Sequence, residues 1–254
     1  MVNMKTVICN TNTDIYIQSS SYRNVHIFPG DFLTFSHYEK VKNIFLQEKC
    51  NVFLFEYTET KLEREYSDLF LSVLQKLHQK FFLIGEDILI GHSKGAHIVM
   101  LMSQKLNNQA KYILINPLIR IAGQKIHRDR KIIFESLLSM IFHRNIQFSY
   151  KTFSKRFLDP SMLDCKKREM YEKSVPSGIK SFMTPTVLSR FEPNHYIIFA
   201  SKDDSAVDYN SLLDKLDILK KKWNIQIEMR EWIGSHCCFL ECEEQMKELL
   251  LEIL

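Results

Sequence analysis

The run Asp87-Ile88-Leu89-Ile90-Gly91-His92-Ser93-Lys94-Gly95-Ala96 constrains this chain more than any other stretch. An apolar segment of strand character leads without a linker into G-x-S-x-G, and Ala96 to Leu106 continues at once with helical spacing. A residue at such a strand-to-helix corner is held in a sharply turned, strained backbone that lifts its side chain clear of the sheet. Gly91 and Gly95 are expected there because strand and helix pass very close on either side of Ser93. The helix that begins after Ser93 aims its N-terminal amides and positive dipole end at the same spot, where developing negative charge would be stabilised.

Strands and helices alternate on both sides of this corner. Thr6 to Ile17 reads as one or two short β segments broken near Asn10 to Asp14, and Asn24 to Phe28 as a short strand ending at Pro29-Gly30-Asp31. Phe32 to Glu48 has helical spacing, Cys50 to Tyr57 is a β run, and Glu63 to Phe82 is a long amphipathic helix. Lys111 to Asn116 is an apolar strand stopped by Pro117. Further on come a strand over Tyr196 to Ser201, a helix over Asn210 to Trp223, a strand over Ile225 to Trp232 and a closing helix over Glu241 to Leu254. Strands separated by helices this long pair in parallel through crossovers. The expected fold class is therefore α/β, with a mostly parallel, doubly wound sheet.

The stretch from 119 to 190 breaks the alternation. It holds helical patterns (Ile132 to Phe142, Asp164 to Glu172) and no strand pattern, with 15 Lys or Arg against 6 Asp or Glu. Such an insertion between two strands is simplest as a basic helical cap over the strand ends. The expected organisation is a core of residues 1–118 and 191–254 with a cap over 119–190.

Glycine is scarce, 7 in 254 or about 3% where roughly 7% is usual, so each placement carries information. Gly91 and Gly95 flank Ser93, Gly30 follows a strand end, and Gly234 lies two before His236. With this elbow, alternating sheet and mid-chain helical insertion, the chain resembles the α/β-hydrolases over essentially its whole length. That family orders its catalytic residues Ser, then Asp or Glu, then His. The resemblance implies Ser93 as nucleophile and His236, after the last strand in Glu231-Trp232-Ile233-Gly234-Ser235-His236, as base. For the acid it offers two adjacent residues in Ala200-Ser201-Lys202-Asp203-Asp204. A small residue commonly stands three before the acid, which fits Ala200 and Asp203, with Asp204 as the alternative.

The family's oxyanion hole uses the amide after the nucleophile and one from the loop after the third strand. Here these are Lys94 and a residue of Phe28-Pro29-Gly30-Asp31-Phe32, with Asp31 or Phe32 as the donor. His92, Pro29 and Gly30 are candidates to line the site. The activity implied is a serine hydrolase acting on a carboxylic ester or thioester through an acyl-enzyme. Alternatives on the same scaffold are an acyltransferase, a C–C bond hydrolase, a thioesterase for acyl carrier protein or coenzyme A, and a non-catalytic binding protein.

Composition narrows the remaining classes. Hydrophobic content of 45% and charged content of 25% are ordinary for a globular chain. No apolar run reaches the roughly 18 to 20 residues a transmembrane segment needs, and the N-terminus lacks the apolar stretch of a secretory signal. The six cysteines show no zinc-ligand spacing and read as reduced thiols, so a cytoplasmic setting is expected. No nucleotide loop, metal cluster or flavin motif is present, so no cofactor and no metal are expected. The basic cap suits an anionic carrier such as acyl carrier protein or coenzyme A. Without a recognition motif it does not suggest nucleic acid.

Overall fold

The computed structural model describes residues 2–9, 11–18, 21–30, 33, 35–57, 62–106, 110–121, 188, 194–204, 207–232, 234, 236–237 and 244–254. Eight strands form one sheet: β1 (Val2–Ile8), β2 (Thr11–Ile17), β3 (Arg23–Phe28), β4 (Asn51–Glu56), β5 (Glu86–His92), β6 (Ala110–Ile115), β7 (His195–Ser201) and β8 (Gln226–Trp232). Their order is β1-β2-β4-β3-β5-β6-β7-β8. β1 pairs antiparallel with β2, and β2 antiparallel with β4. Every other neighbouring pair is parallel, which puts the C-terminal ends of β3 to β8 along one rim.

Five α-helices accompany the described strands: α1 (Glu39–Gln47), α2 (Glu63–Phe81), α3 (Lys94–Leu106), α4 (Tyr209–Trp223) and α5 (Glu244–Glu252). Side-chain alternation along the central strands feeds two separate cores. Leu89 joins Phe70, Val73, Leu74 and Leu77 of α2, Val99 of α3 and Leu216 of α4. Ile88 and Ile90 join Val41 and Phe45 of α1 and Leu250 of α5 on the opposite face. Each such side chain contributes roughly 1.5–3 kcal/mol by leaving water. The sheet is thus covered on both faces, the arrangement that near-continuous apolar strands require.

Local chemistry sets the element ends. Asp208 caps α4 by accepting from the Ser211 amide at 2.8 Å, and Lys220, Lys221 and Lys222 sit where the helix dipole favours cations. The helix expected from Phe32 opens instead as a 3-10 turn, Phe35–Tyr38, and becomes α-helical only at Glu39. The elbow helix begins at Lys94, two residues before the expected Ala96. Of the stretch expected to form the cap, 122–187 and 189–190 lie outside the described residues, including both helical patterns. Its two ends meet: Ile121 and Leu188 form an isolated parallel bridge, and Arg120 makes a buried ion pair with Glu63 at 2.9 Å.

At the opposite rim, His26, His78 and Asp87 form a compact cluster. Each carboxylate oxygen of Asp87 bonds one imidazole Nε2, at 3.0 Å to His26 and 2.8 Å to His78. Burial would raise the Asp87 pKa, but the bonds from His26 and His78 outweigh it and hold the carboxyl well below its usual range. The bond to Asp87 raises the His78 pKa, against partial desolvation. A raised folded-state pKa stabilises fully below the unfolded value, about 6.5, and the gain is lost as pH climbs through the folded pKa. His78→Ala is therefore expected to cost about 1 kcal/mol near pH 6, discounted for the partial exposure of His78. The gap to wild type should shrink by pH 9. Urea melts at both pH values measure it, and a gap that widens with pH would refute the assignment.

Candidate active site

Ser93 stands between β5 and α3 with φ at 55°, a left-handed conformation that costs a side-chain-bearing residue on the order of 1–3 kcal/mol. The glycines explain how that corner persists. A Cβ on Gly91 would lie 2.5 Å from the Ala96 Cα and the Gly95 oxygen, and one on Gly95 would lie 2.2 Å from the Phe28 oxygen. The corner is tied to the end of β6, since the Ser93 amide donates to the Ile115 carbonyl at 2.9 Å and the Leu118 amide donates to the Ser93 carbonyl at 3.2 Å. Ser93 itself is half-buried, whereas His92 and Lys94 on either side are buried.

His236 lies on the loop after β8 and is buried. Its Nδ1 is 2.7 Å from Oδ2 of Asp204, also buried, and Oδ1 of Asp204 accepts the Val207 amide at 2.8 Å. Of the two adjacent acids the sequence offers, the one that meets His236 is Asp204, the alternative, whereas Asp203, the residue the spacing rule favours, is exposed. The reason is the turn geometry after β7. Lys202 and Asp203 occupy the outside of the turn, and the chain comes back inward at 204. The spacing rule fits equally well one residue later, with Ser201 as the small residue three before Asp204. The Ser201 hydroxyl also receives the Asp203 amide and donates to the Gly234 carbonyl, tying the loop of Asp204 to the loop of His236.

The His236 carbonyl is held by two donors, His92 Nε2 at 3.0 Å and Asn116 Nδ2 at 2.8 Å. The His92 and His236 rings are 5.1 Å apart, so His236 stands beside the corner that carries Ser93. No hydrogen bond among the described residues joins Ser93 to His236. Asn116 was not among the expected site residues. It takes a left-handed turn (φ 42°) at the end of β6, and its Oδ1 accepts the Ser201 amide at 3.0 Å and the Trp232 indole at 3.4 Å. One side chain thus joins the ends of β6, β7 and β8. The only trace in sequence is an Asn-Pro pair after an apolar strand.

Of the expected oxyanion donors, Lys94 opens α3 directly after Ser93, and Asp31 and Phe32 lie outside the described residues. Pro29 and Gly30 do lie at the corner. The Pro29 carbonyl accepts the Tyr57 hydroxyl, and the Gly30 amide donates to the Tyr38 hydroxyl at 3.1 Å. The Lys94 side chain, without an expected role, is buried with its ammonium 5.1 Å from the Tyr57 ring centre and 5.5 Å from that of Tyr66.

For a metal, the described residues offer one group of suitable donors, His26, His78 and Asp87, within 4.8 Å of one another. Both imidazole Nε2 atoms are engaged by Asp87, and His26 Nδ1 is buried without a partner among the described residues.

No family model matches the chain, and no curated protein matches it in sequence. Solved structures do match across its length. Naproxen esterase from Bacillus subtilis superposes with a TM-score of 0.68 at 12% identity, covering 99% of this chain and 90% of that one. A carboxylesterase of the thaumarchaeon Nitrososphaera gargenis gives 0.66 at 15%, covering 99% and 97%. The type II thioesterase BorB of the borrelidin biosynthetic cluster gives 0.65 at 14%, covering 93% and 94%. Identities this low speak to architecture, and with the eight-stranded sheet, the strained elbow and the strand order above, that architecture is the α/β-hydrolase fold.

Proposed function

We propose that this protein is a serine hydrolase cleaving a carboxylic ester or thioester through an acyl-enzyme. The observation that carries the proposal is a serine in left-handed backbone at a strand–helix corner, beside a buried imidazole whose Nδ1 is 2.7 Å from a buried carboxylate. A serine hydroxyl is a weak nucleophile until a base takes its proton. His236 Nδ1–H donates to Asp204, which fixes the proton on Nδ1 and leaves Nε2 to accept the Ser93 proton as Oγ attacks the carbonyl. Asp204 then stabilises the imidazolium.

The Lys94 amide and one from Asp31 or Phe32 meet the oxyanion, and the imidazolium protonates the leaving alcohol or thiol. Water repeats the sequence and releases the acid. The esterase and thioesterase names of the structural neighbours support this substrate class. The basic stretch 119–190 suits delivery of the acyl group on an anionic carrier, acyl carrier protein or coenzyme A.

A fluorophosphonate probe tests the mechanism. Wild type is expected to carry the adduct on Ser93 by peptide mass spectrometry, and Ser93→Ala to take none. A folded wild type that stays unlabelled would overturn the proposal. p-Nitrophenyl esters of graded length beside acyl thioesters, with an alcohol acceptor present, then separate hydrolysis from acyl transfer by product.

A further inference from the structure

We propose that His92 and Tyr38 form a buried polar strut that fixes the candidate oxyanion loop relative to the loop carrying His236. Both are then positioning residues for the chemistry at Ser93, and the inference rests on the serine-hydrolase reading. Neither belongs to the proton relay described above. Both are almost fully enclosed, with 1% of His92 and 2% of Tyr38 exposed.

The hydrogen bonds run in one direction. The His236 carbonyl can only accept, so His92 Nε2, 3.0 Å away, carries the proton. In a neutral imidazole Nδ1 is then an acceptor, and the Tyr38 hydroxyl donates to it at 3.2 Å. The same hydroxyl accepts the Gly30 amide at 3.1 Å. A chain from the Gly30 amide through Tyr38 and His92 to the His236 carbonyl is therefore satisfied at every link. Burial pushes the His92 pKa well down, and nearby His236 acts in the same sense. A second proton on Nδ1 would end the bond the Tyr38 hydroxyl donates there, and would place like charge beside His236.

Packing supports the same role. A Cβ on Gly30 would lie 3.2 Å from both His92 Nδ1 and the Ser93 Cβ, so Gly30 packs directly on the corner. Tyr38 meets the His92 ring edge-on, with centres 6.5 Å apart. The strut joins residues remote in sequence. Gly30 and Tyr38 follow β3, His92 ends β5 and His236 follows β8. Its loss would let two loops drift independently, and a displacement near 1 Å costs a catalytic geometry about 10²-fold.

The test compares Tyr38→Phe, His92→Leu and His92→Gln with wild type, reading kcat and KM on a short p-nitrophenyl ester, the rate of Ser93 phosphonylation, and thermal melts. Leucine keeps bulk without either bond. Glutamine offers an amide N–H toward the carbonyl and an oxygen toward Tyr38. The expected kcat losses are about 10²-fold for His92→Leu and about tenfold for Tyr38→Phe, with KM within about threefold and His92→Gln regaining most of the rate.

Three results would overturn the strut: folded His92→Leu or Tyr38→Phe at wild-type rate, a loss confined to KM, or His92→Gln no better than His92→Leu. If His92→Leu fails to fold, Tyr38→Phe decides, since it removes one hydroxyl and leaves the ring. An unlabelled wild type removes the serine-hydrolase reading and the strut together. A labelled wild type with unaltered variants removes the strut alone.

Discussion

Asp204→Asn is expected to lower kcat about 10⁴-fold, while Asp203→Asn stays within about twofold of wild type. The difference follows from what each carboxylate faces. Oδ1 of Asp204 accepts the Val207 amide and Oδ2 faces His236 Nδ1. An asparagine at 204 has one acceptor oxygen, which the Val207 amide claims. Its NH₂ then points at Nδ1 and forces that nitrogen to accept. The proton moves to Nε2, and a base protonated there cannot take the hydrogen of Ser93. Asp203 is exposed, and among the described residues it engages the loop through its backbone amide, which donates to the Ser201 hydroxyl. Turnover of a short p-nitrophenyl ester measures the contrast, with thermal melts showing that both variants fold. Equal losses, or a larger loss at 203, would put the orienting carboxylate elsewhere.

The one-residue slip between 203 and 204 shows where sequence stops being informative. Strand β7 is plain from Tyr196-Ile197-Ile198-Phe199-Ala200, and so is an acid soon after it, because both follow from period and composition. Which of two adjacent acids turns inward depends on the turn's dihedral angles, and the spacing rule fits Ala200 with Asp203 as well as Ser201 with Asp204. The elbow was legible because its constraint is local: two glycines within four residues of each other report two backbone approaches. Tyr38 and Asn116 were illegible for the opposite reason. Tyr38 reaches His92 across 54 positions and Asn116 reaches His236 across 120, and neither residue type is distinctive among ten tyrosines or in an Asn-rich chain. The 3-10 entry to α1 also escaped, since its residues keep the apolar spacing of the helix that follows.

A single methyl group at Gly95 is expected to do more damage to the fold than one at Gly30, although both lie at the same corner. A Cβ on Gly95 would meet the Phe28 oxygen at 2.2 Å and the Pro29 oxygen at 2.6 Å. These are backbone atoms, so no rotamer clears the clash, and either β3 or the first turn of α3 must move. Gly95→Ala should cost about 3 kcal/mol, the upper end for overpacking, and lower Tm by on the order of 10 °C. It should also slow Ser93 labelling, because the displaced carbonyls belong to the loop beside the serine.

At Gly30 the added carbon meets side-chain atoms of His92, Ser93 and Leu33 at 3.2 to 3.3 Å, contacts that can yield by tenths of an ångström. Gly30→Ala should therefore cost under about 1 kcal/mol in stability. Its effect on labelling should still reach about tenfold, because the atoms that yield belong to the strut and the nucleophile. Melting and labelling thus separate the two glycines. If Gly30→Ala melted lower than Gly95→Ala, the close passage of α3 against the end of β3 would not be what holds Ser93 in its strained conformation.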